Sequence, residues 1–341
     1  MIDIAMKNAA IGPPSVYFTT AYGQADATGS ASAYWVSLSS ADGRWQIPLV
    51  VTELAYGVKF ASTPNGYAGV WADPDLSRSE IDAYWQASLA ALGSAGIVTV
   101  FLRFAPFAPD ARLDGLPGLE VQRVSSTCLV HVDASDAMWD RMAGRARTAI
   151  RKASNTGMQV AVTQIDGAQS DSMRRFRRLY DSTMDRLGAA DRYRFDDSYF
   201  SRLSELGSRL HVASVVDSRG ETVAAALVLL DPTVVHYHLA GSDPEAARSG
   251  ANNLLVWGIM EHAQRVGRTA VHLGGGRSDR DSLHKFKSSF GSEDMDFRIG
   301  RLIVDEDRYL SLIDKRAKEL STAPSALLAQ GFFPAFAIQP S

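Results

Sequence analysis

Residues 210–242 read LHVASVVDSRGETVAAALVLLDPTVVHYHLAGS, and the fold turns on how that stretch is parsed. Leu210–Val216, Thr222–Leu230 and Val234–Ala240 are rich in β-branched and aliphatic residues, long enough for strands and too short for helices. Ser218-Arg-Gly220 between the first two is a hairpin turn signal, so the runs read as an antiparallel meander. Downstream, Leu254, Leu255, Ile259 and Ala263 recur at helical spacing within Asn252–Val266, and Gly267 closes that helix. A short strand, Ala270–Leu273, runs into Gly274-Gly-Gly276. Leu283–Phe290 supplies a turn or two of helix, Arg298–Val304 a strand, and Asp307 to about Leu320 a helix. Upstream, Trp139–Asn155 reads as one basic helix, Met158–Thr163 as a strand, and Ser172–Leu187 and Asp197–Leu206 as helices.

The preceding residues repeat the style. Ser15–Thr19, Ala33–Leu38 and Trp45–Leu54 carry aromatic and β-branched residues between Gly/Asp/Ser turns and read as strands. Ser77-Arg-Ser-Glu80 has capping-box spacing, with Ile81, Tyr84, Trp85, Leu89 and Leu92 following on one helical face and Gly93 and Gly96 ending it. Ile97–Phe104 and Thr127–Val132 are further strands, separated by a loop marked by Pro106, Pro109 and Pro117. Each half is α+β, with a mixed, mostly antiparallel sheet flanked by helices.

Composition narrows the class. At roughly 100–200 residues per domain, 341 residues make two domains. Hydrophobic residues at 46% and charged residues at 21% are the balance of a globular protein with a full core. The net charge of −3 excludes a globally basic nucleic-acid binder, but the charge is unevenly spread. Residues 1–140 hold 7 Lys/Arg against 14 Asp/Glu, and residues 141–178 hold nine basic residues against two acidic ones. A polyanion is drawn to that basic stretch, which otherwise reads as a solvated helix face. The single cysteine, Cys128, excludes an internal disulfide and a cysteine-only zinc site, and its apolar run reads as a place for a buried structural thiol. The N-terminus has no signal-peptide pattern, and the longest apolar run, Val223–Leu230, falls far short of the ~20 residues of a membrane span. The expectation is a cytoplasmic protein with no stable membrane insertion.

The order helix, strand, helices, meander, helix, strand, helix, strand is similar to that of a GNAT-type acyltransferase domain, whose two central strands splay apart around an activated acyl donor. Several segments resemble the FemABX family more closely. They are the basic helix Arg145-Ala-Arg147-Thr-Ala-Ile-Arg151-Lys152-Ala153; Tyr180-Asp-Ser-Thr183-Met-Asp-Arg186 with Tyr193 and Tyr199-Phe200 beyond; Tyr237-His-Leu-Ala-Gly241-Ser242; Gly250–Trp257; and Leu273-Gly-Gly-Gly276. Leu283-His-Lys-Phe286-Lys287-Ser-Ser-Phe290-Gly291 matches the family's L-x-x-F-K-x-x-F-G at every fixed position. The resemblance runs through about residues 140–310, and more loosely through 30–105. It implies two tandem GNAT-like (acyl-CoA N-acyltransferase) domains, residues 1–140 with a C-terminal return over 305–341, and residues 141–304 carrying the catalytic motif. It also implies transfer of an amino acid from aminoacyl-tRNA to a peptidoglycan precursor. The chain departs from the pattern in lacking room for the helical-hairpin arm of some members, and in placing His272 and Leu273 beside the glycine turn where Asp or Tyr is frequent.

Aminoacyl transfer starts from an ester that is already reactive, so the protein must orient two substrates, relay a proton and stabilise an oxyanion, without a covalent nucleophile. The resemblance makes Lys287 the catalytic lysine and puts Phe286 beside it, either stacked on the terminal adenine of the donor or packed in the core. Arg186, Tyr193 and Tyr237 are candidates for holding the acceptor, since arginine clamps carboxylates and phosphates bidentately. Gly275, within the glycine turn, is a candidate for anion binding by backbone N–H groups, or simply part of a tight turn. Arg145, Arg147, Arg151 and Lys152 form a stripe suited to the tRNA acceptor stem. With Tyr237 pointing into the cleft, His236 and His238 point the other way and lack a third metal ligand, so no metal and no resident cofactor is expected. Two other classes stay open. An acyl-CoA-dependent N-acyltransferase would take acetyl-CoA, although the glycine in Arg248-Ser-Gly250-Ala-Asn252 falls one residue early for a pyrophosphate loop. A non-catalytic peptide- or RNA-binding module is the other.

Overall fold

The computed structural model describes residues 2–8, 15–276 and 278–338. The chain divides into two compact units, residues 1–13, 17–123 and 297–341, and residues 14–16 and 124–296. The first unit opens with β1 (Ile4–Lys7), α1 (Thr20–Ala27), β2 (Ala33–Ser40), β3 (Trp45–Leu54), β4 (Val58–Ser62), β5 (Trp71–Ala72), α2 (Arg78–Ser94) and β6 (Ile97–Arg103). β7 (Leu119–His131) leads into the second unit. That unit continues with α3 (Ser135–Arg141), α4 (Gly144–Asn155), β8 (Gln159–Gln164), α5 (Asp171–Arg186), α6 (Asp197–Ser204), β9 (Leu210–Val216), β10 (Thr222–Leu230) and β11 (Val234–Ser242). It closes with α7 (Pro244–Arg248), α8 (Ala251–Arg265), β12 (Ala270–Gly275) and α9 (Ser282–Ser288), followed by β13 (Glu293–Ile303), α10 (Glu306–Glu319) and α11 (Pro324–Ala329).

Both units use one plan. In the first, β2, β3 and β4 form an antiparallel meander, α2 follows, and β6 returns parallel to β4 with β13 antiparallel beside it. In the second, β9, β10 and β11 form the meander, α8 follows, and β12 returns parallel to β11 with β7 antiparallel beside it. The expected α+β class and the repeated, mostly antiparallel architecture are those observed. α2 starts as its spacing predicts: Ser77 and Glu80 form the reciprocal capping box. Its inner face then buries Trp85 against a core in which the Trp45 indole N–H donates to Ser88 at 2.9 Å. The second unit's core is aliphatic, with Val228, Leu255, Ile259, Met260 and Leu273 fully buried between sheet and helices.

Two expectations are corrected, and one strand is added. Ser15–Thr19 is a 3₁₀ turn over Val16–Phe18 rather than a strand, because the Val16 N–H donates to the buried Asp231 carboxylate at 2.6 Å instead of to a neighbouring strand. Trp139–Asn155 is two helices: Ala143 leaves the helical region (φ −59, ψ 143) and its N–H donates to the carbonyl of Ser289 at 2.9 Å. β4, unassigned from the sequence, is the third strand of the first meander and pairs Val50 with Ser62 and Leu54 with Val58. Among the described residues no helix is long and apolar enough to cross a membrane.

Candidate functional site

α9 begins at Asp281, whose carboxylate accepts from the backbone N–H of His284 at 2.8 Å and of Ser278 at 3.2 Å. An aspartate at this position stabilises a helix start by about 1 kcal/mol. Helical spacing then turns His284 and Lys287, three residues apart, to the inner face and leaves Lys285 in solvent. Lys287 is only 7% exposed. Its Nζ donates to the carbonyl oxygen of Gly275 at 2.6 Å and lies 5.9 Å from the centroid of the Tyr237 ring.

The sheet makes the space for this ammonium. β11 and β12 pair in parallel only where Val234, Val235 and His236 face Ala270, Val271 and His272. Beyond that point β11 stays with β10 and β12 stays with β7. A register shift between His272 and Gly274 bends β12 away from β11, and Gly274 takes φ 72, which glycine adopts without steric cost. Tyr237 is the first residue of β11 past the last parallel pair, and Gly275 lies past it on β12. Lys287 bridges the parting of the two strands.

Burial sets the electrostatics. It pulls the Lys287 pKa from 10.5 down to about 8, against the opposing pull of Cys128 and Asp281. It also pushes the Tyr237 hydroxyl upward and holds His272 well below the ordinary imidazole range, helped by the charges of His236 and Lys287. A buried ammonium can stabilise a developing oxyanion, and a pKa near 8 lets its protonation change close to neutrality. Phe286 is half-buried, edge-on to Phe290 with ring centroids 5.3 Å apart, and packs against the second unit's core.

Residues 140–288 match the acetyltransferase (GNAT) domain family. The chain superposes on FemX with a TM-score of 0.66 at 14% identity, covering 86% of this chain and 94% of that one. The C-terminal domain of a putative lysylphosphatidylglycerol synthetase from Agrobacterium fabrum gives a TM-score of 0.56 at 15% identity, covering 84% and 88%. A tandem GNAT protein from the clavulanic acid biosynthesis pathway gives 0.50 at 12% identity, covering 89% and 99%. No curated protein matches the chain in sequence. The chain has a FemX-like fold and carries a GNAT acyltransferase domain. Lys287 and the parting of β11 and β12 both lie within that domain.

The GNAT domain separates the remaining candidates. Tyr237 shares a face with Lys287 and with the core under α4 and α8. His236 and His238, on the opposite face, meet Asp231 at 3.0 Å and the Tyr199 hydroxyl at 2.8 Å. The Tyr193 carbonyl accepts from the Tyr180 hydroxyl at 2.7 Å, and Tyr180 stacks with Phe176 and Phe195 next to Tyr199. Tyr193 therefore lies on the His238 side, and Arg186 is exposed at the end of α5. Lys287, Gly275 and Tyr237 are brought together, while Phe286 packs on Phe290 and the core and Tyr193 lies apart from them. Gly275 contributes its carbonyl, fixing the lysine.

The expected single stripe is not observed: Arg145 and Lys152, seven residues apart, lie on one side of α4, and Arg147 and Arg151, four apart, on another. Arg145 donates to the carbonyl of Lys285 at 2.8 Å, and Lys152 to that of Arg248 at 3.2 Å. Arg147 approaches Asp140 at 3.8 Å, and Arg151 lies over the Trp139 ring at 5.1 Å. The partners of Arg145 and Lys152 are neutral carbonyls. At the head of α8, Gly250 has φ 95, and a Cβ there would stand 2.2 Å from the carbonyl oxygen of Ala149. α4 thus lies directly against the turn that enters α8.

Sequence reasoning missed Asp281, although an Asp three residues before His284 ahead of a helical run is an N-cap signal. It also missed the buried Asp231, which accepts from Val16 and meets His236. Asp231-Pro-Thr reads only as a turn, and nothing local reports a partner 215 residues away.

Proposed function

We propose that the protein is a cytoplasmic aminoacyltransferase that moves an amino acid from aminoacyl-tRNA onto the amine of a peptide or small-molecule acceptor, forming an amide. The observation that carries this reading is Lys287, buried where β11 and β12 part and held by the Gly275 carbonyl beside Tyr237. The acceptor amine attacks the ester carbonyl, the new C–N bond forms, and the ribose oxygen of the tRNA leaves with the proton that the amine gives up. Lys287, as its ammonium, stabilises the oxyanion or holds the donor's terminal phosphate; one such donor is worth roughly 3–4 kcal/mol of barrier. The chemical step needs no covalent nucleophile, and Cys128, fully buried, does not serve as one. No resident cofactor takes part.

Two features favour tRNA over an acyl-CoA donor. GNAT enzymes that use CoA seat its pyrophosphate on backbone N–H groups at a helix start. Here α4 packs against the turn into α8, where a Cβ on Gly250 would stand 2.2 Å from the Ala149 carbonyl oxygen. The same α4 offers Arg145, Arg147, Arg151 and Lys152 to a phosphate backbone. The FemABX resemblance points to a peptidoglycan precursor as acceptor. An intermediate of a specialised metabolite is the other candidate, since a tandem GNAT protein of the clavulanic acid pathway shares the fold. The deciding experiment mixes purified protein with radiolabelled aminoacyl-tRNA or acetyl-CoA and a cell extract as acceptor source. Lys287-dependent loss of label from tRNA supports the reading; label leaving acetyl-CoA alone overturns it.

A further inference from the structure

Cys128 on β7, His284 on α9 and Asp294 on β13 each present a donor atom, and the three atoms lie within 4.8 Å of one another. All three residues belong to the second unit. His284 is 5% exposed, yet its Nε2 has no hydrogen bond: Asp294 Oδ1 lies 3.1 Å away but out of line. Beside them the Ser292 hydroxyl pairs with the Cys128 thiol. A buried imidazole nitrogen with no hydrogen bond, facing a thiol and a carboxylate, calls for an explanation.

A nucleophilic Cys–His–Asp relay is not that explanation. Such a relay needs an accessible sulfur, and Cys128 is fully buried. A cation satisfies the set instead. Bond lengths of about 2.0–2.3 Å put tetrahedral zinc ligands about 3.3–3.8 Å apart. The His284–Asp294 pair is already near that spacing, and rotamer-scale adjustment closes the rest. One thiolate, one imidazole and one carboxylate are the mixed set that zinc accepts. Asp294 is exposed, which leaves the fourth position to water and gives an entry path.

We infer that Cys128, His284 and Asp294 bind one zinc-type divalent cation that clips the helix bearing Lys287 to β7 and β13. His284 lies one helical turn before Lys287, so the ion fixes the helix without touching the reacting atoms. The inference is independent of which acyl donor is used.

The test uses the reduced, chelator-treated full-length protein, titrated with Co2+ as a spectroscopic probe and with Zn2+ by calorimetry. The expected result is one ion per chain, a sulfur-to-cobalt charge-transfer band in the near ultraviolet, and a melting midpoint raised by several degrees. Cys128→Ser should abolish the band. Asp294→Asn changes an exposed side chain, so it should melt like the parent in chelator yet bind Co2+ at least tenfold more weakly. Absence of stoichiometric binding, or binding that Asp294→Asn and Cys128→Ser both leave unchanged, overturns the inference.

Discussion

A lysine held in the interior opposes folding while it is charged. With its pKa lowered from 10.5 to about 8, Lys287 is protonated in both states below pH 8, and there the cost of burying the ammonium is fully present. Between pH 8 and 10.5 the unfolded chain keeps a proton that the folded chain has lost, so this contribution makes stability rise with pH. Lys287→Met should therefore raise stability at pH 7 by about 1–3 kcal/mol, measured by urea unfolding, while lowering kcat/KM by about 10²–10³-fold. An unchanged rate would remove Lys287 from the chemistry. The pH profile gives a second check. If the ammonium is the working form, kcat/KM falls as pH rises through about 8, and a rise through the same pH would make the neutral amine a base instead.

Elements depend on close approaches that single residues permit. Gly250 combines φ 95 with the contact at Ala149, so Gly250→Ala both strains the backbone and forces α4 away from α8. A loss of about 2–4 kcal/mol is expected, read as a lower urea midpoint. An alanine tolerated without loss would show that α4 and the turn into α8 can move apart. The meander over 210–242, the capped α2 and the L-x-x-F-K-x-x-F-G helix were legible because their signals are local: alternation, cap spacing, helical recurrence. The break at Ala143 was not, because it is held by a hydrogen bond to Ser289, 146 residues away. Of the site, Lys287 and Phe286 were legible through motif resemblance. The separation of Tyr193 from Tyr237 was not, because it depends on which face of β11 each neighbour packs against.

At the scale of the whole molecule, charge decides how a tRNA would meet the protein. On the proposed tRNA reading, the basic run at 141–178, shared between α4 and α5, is what draws the polyanion. Replacing Arg147 and Arg151 together by glutamate should weaken aminoacyl-tRNA binding and flatten its salt dependence by about two phosphate contacts, measured between roughly 50 and 200 mM salt. An unaltered slope would move the tRNA to another face. The sequence by itself determined the repeated α+β plan and the amphipathic helices, because periodicity and turn chemistry are written in neighbouring residues. It also supplied the motif that singles out Lys287. Only the tertiary structure decided that this lysine is buried where β11 and β12 part, that α4 covers the start of α8, and that Cys128, His284 and Asp294 meet. Those facts are distances between residues far apart in the chain, fixed by strand register and packing, and no local pattern encodes them.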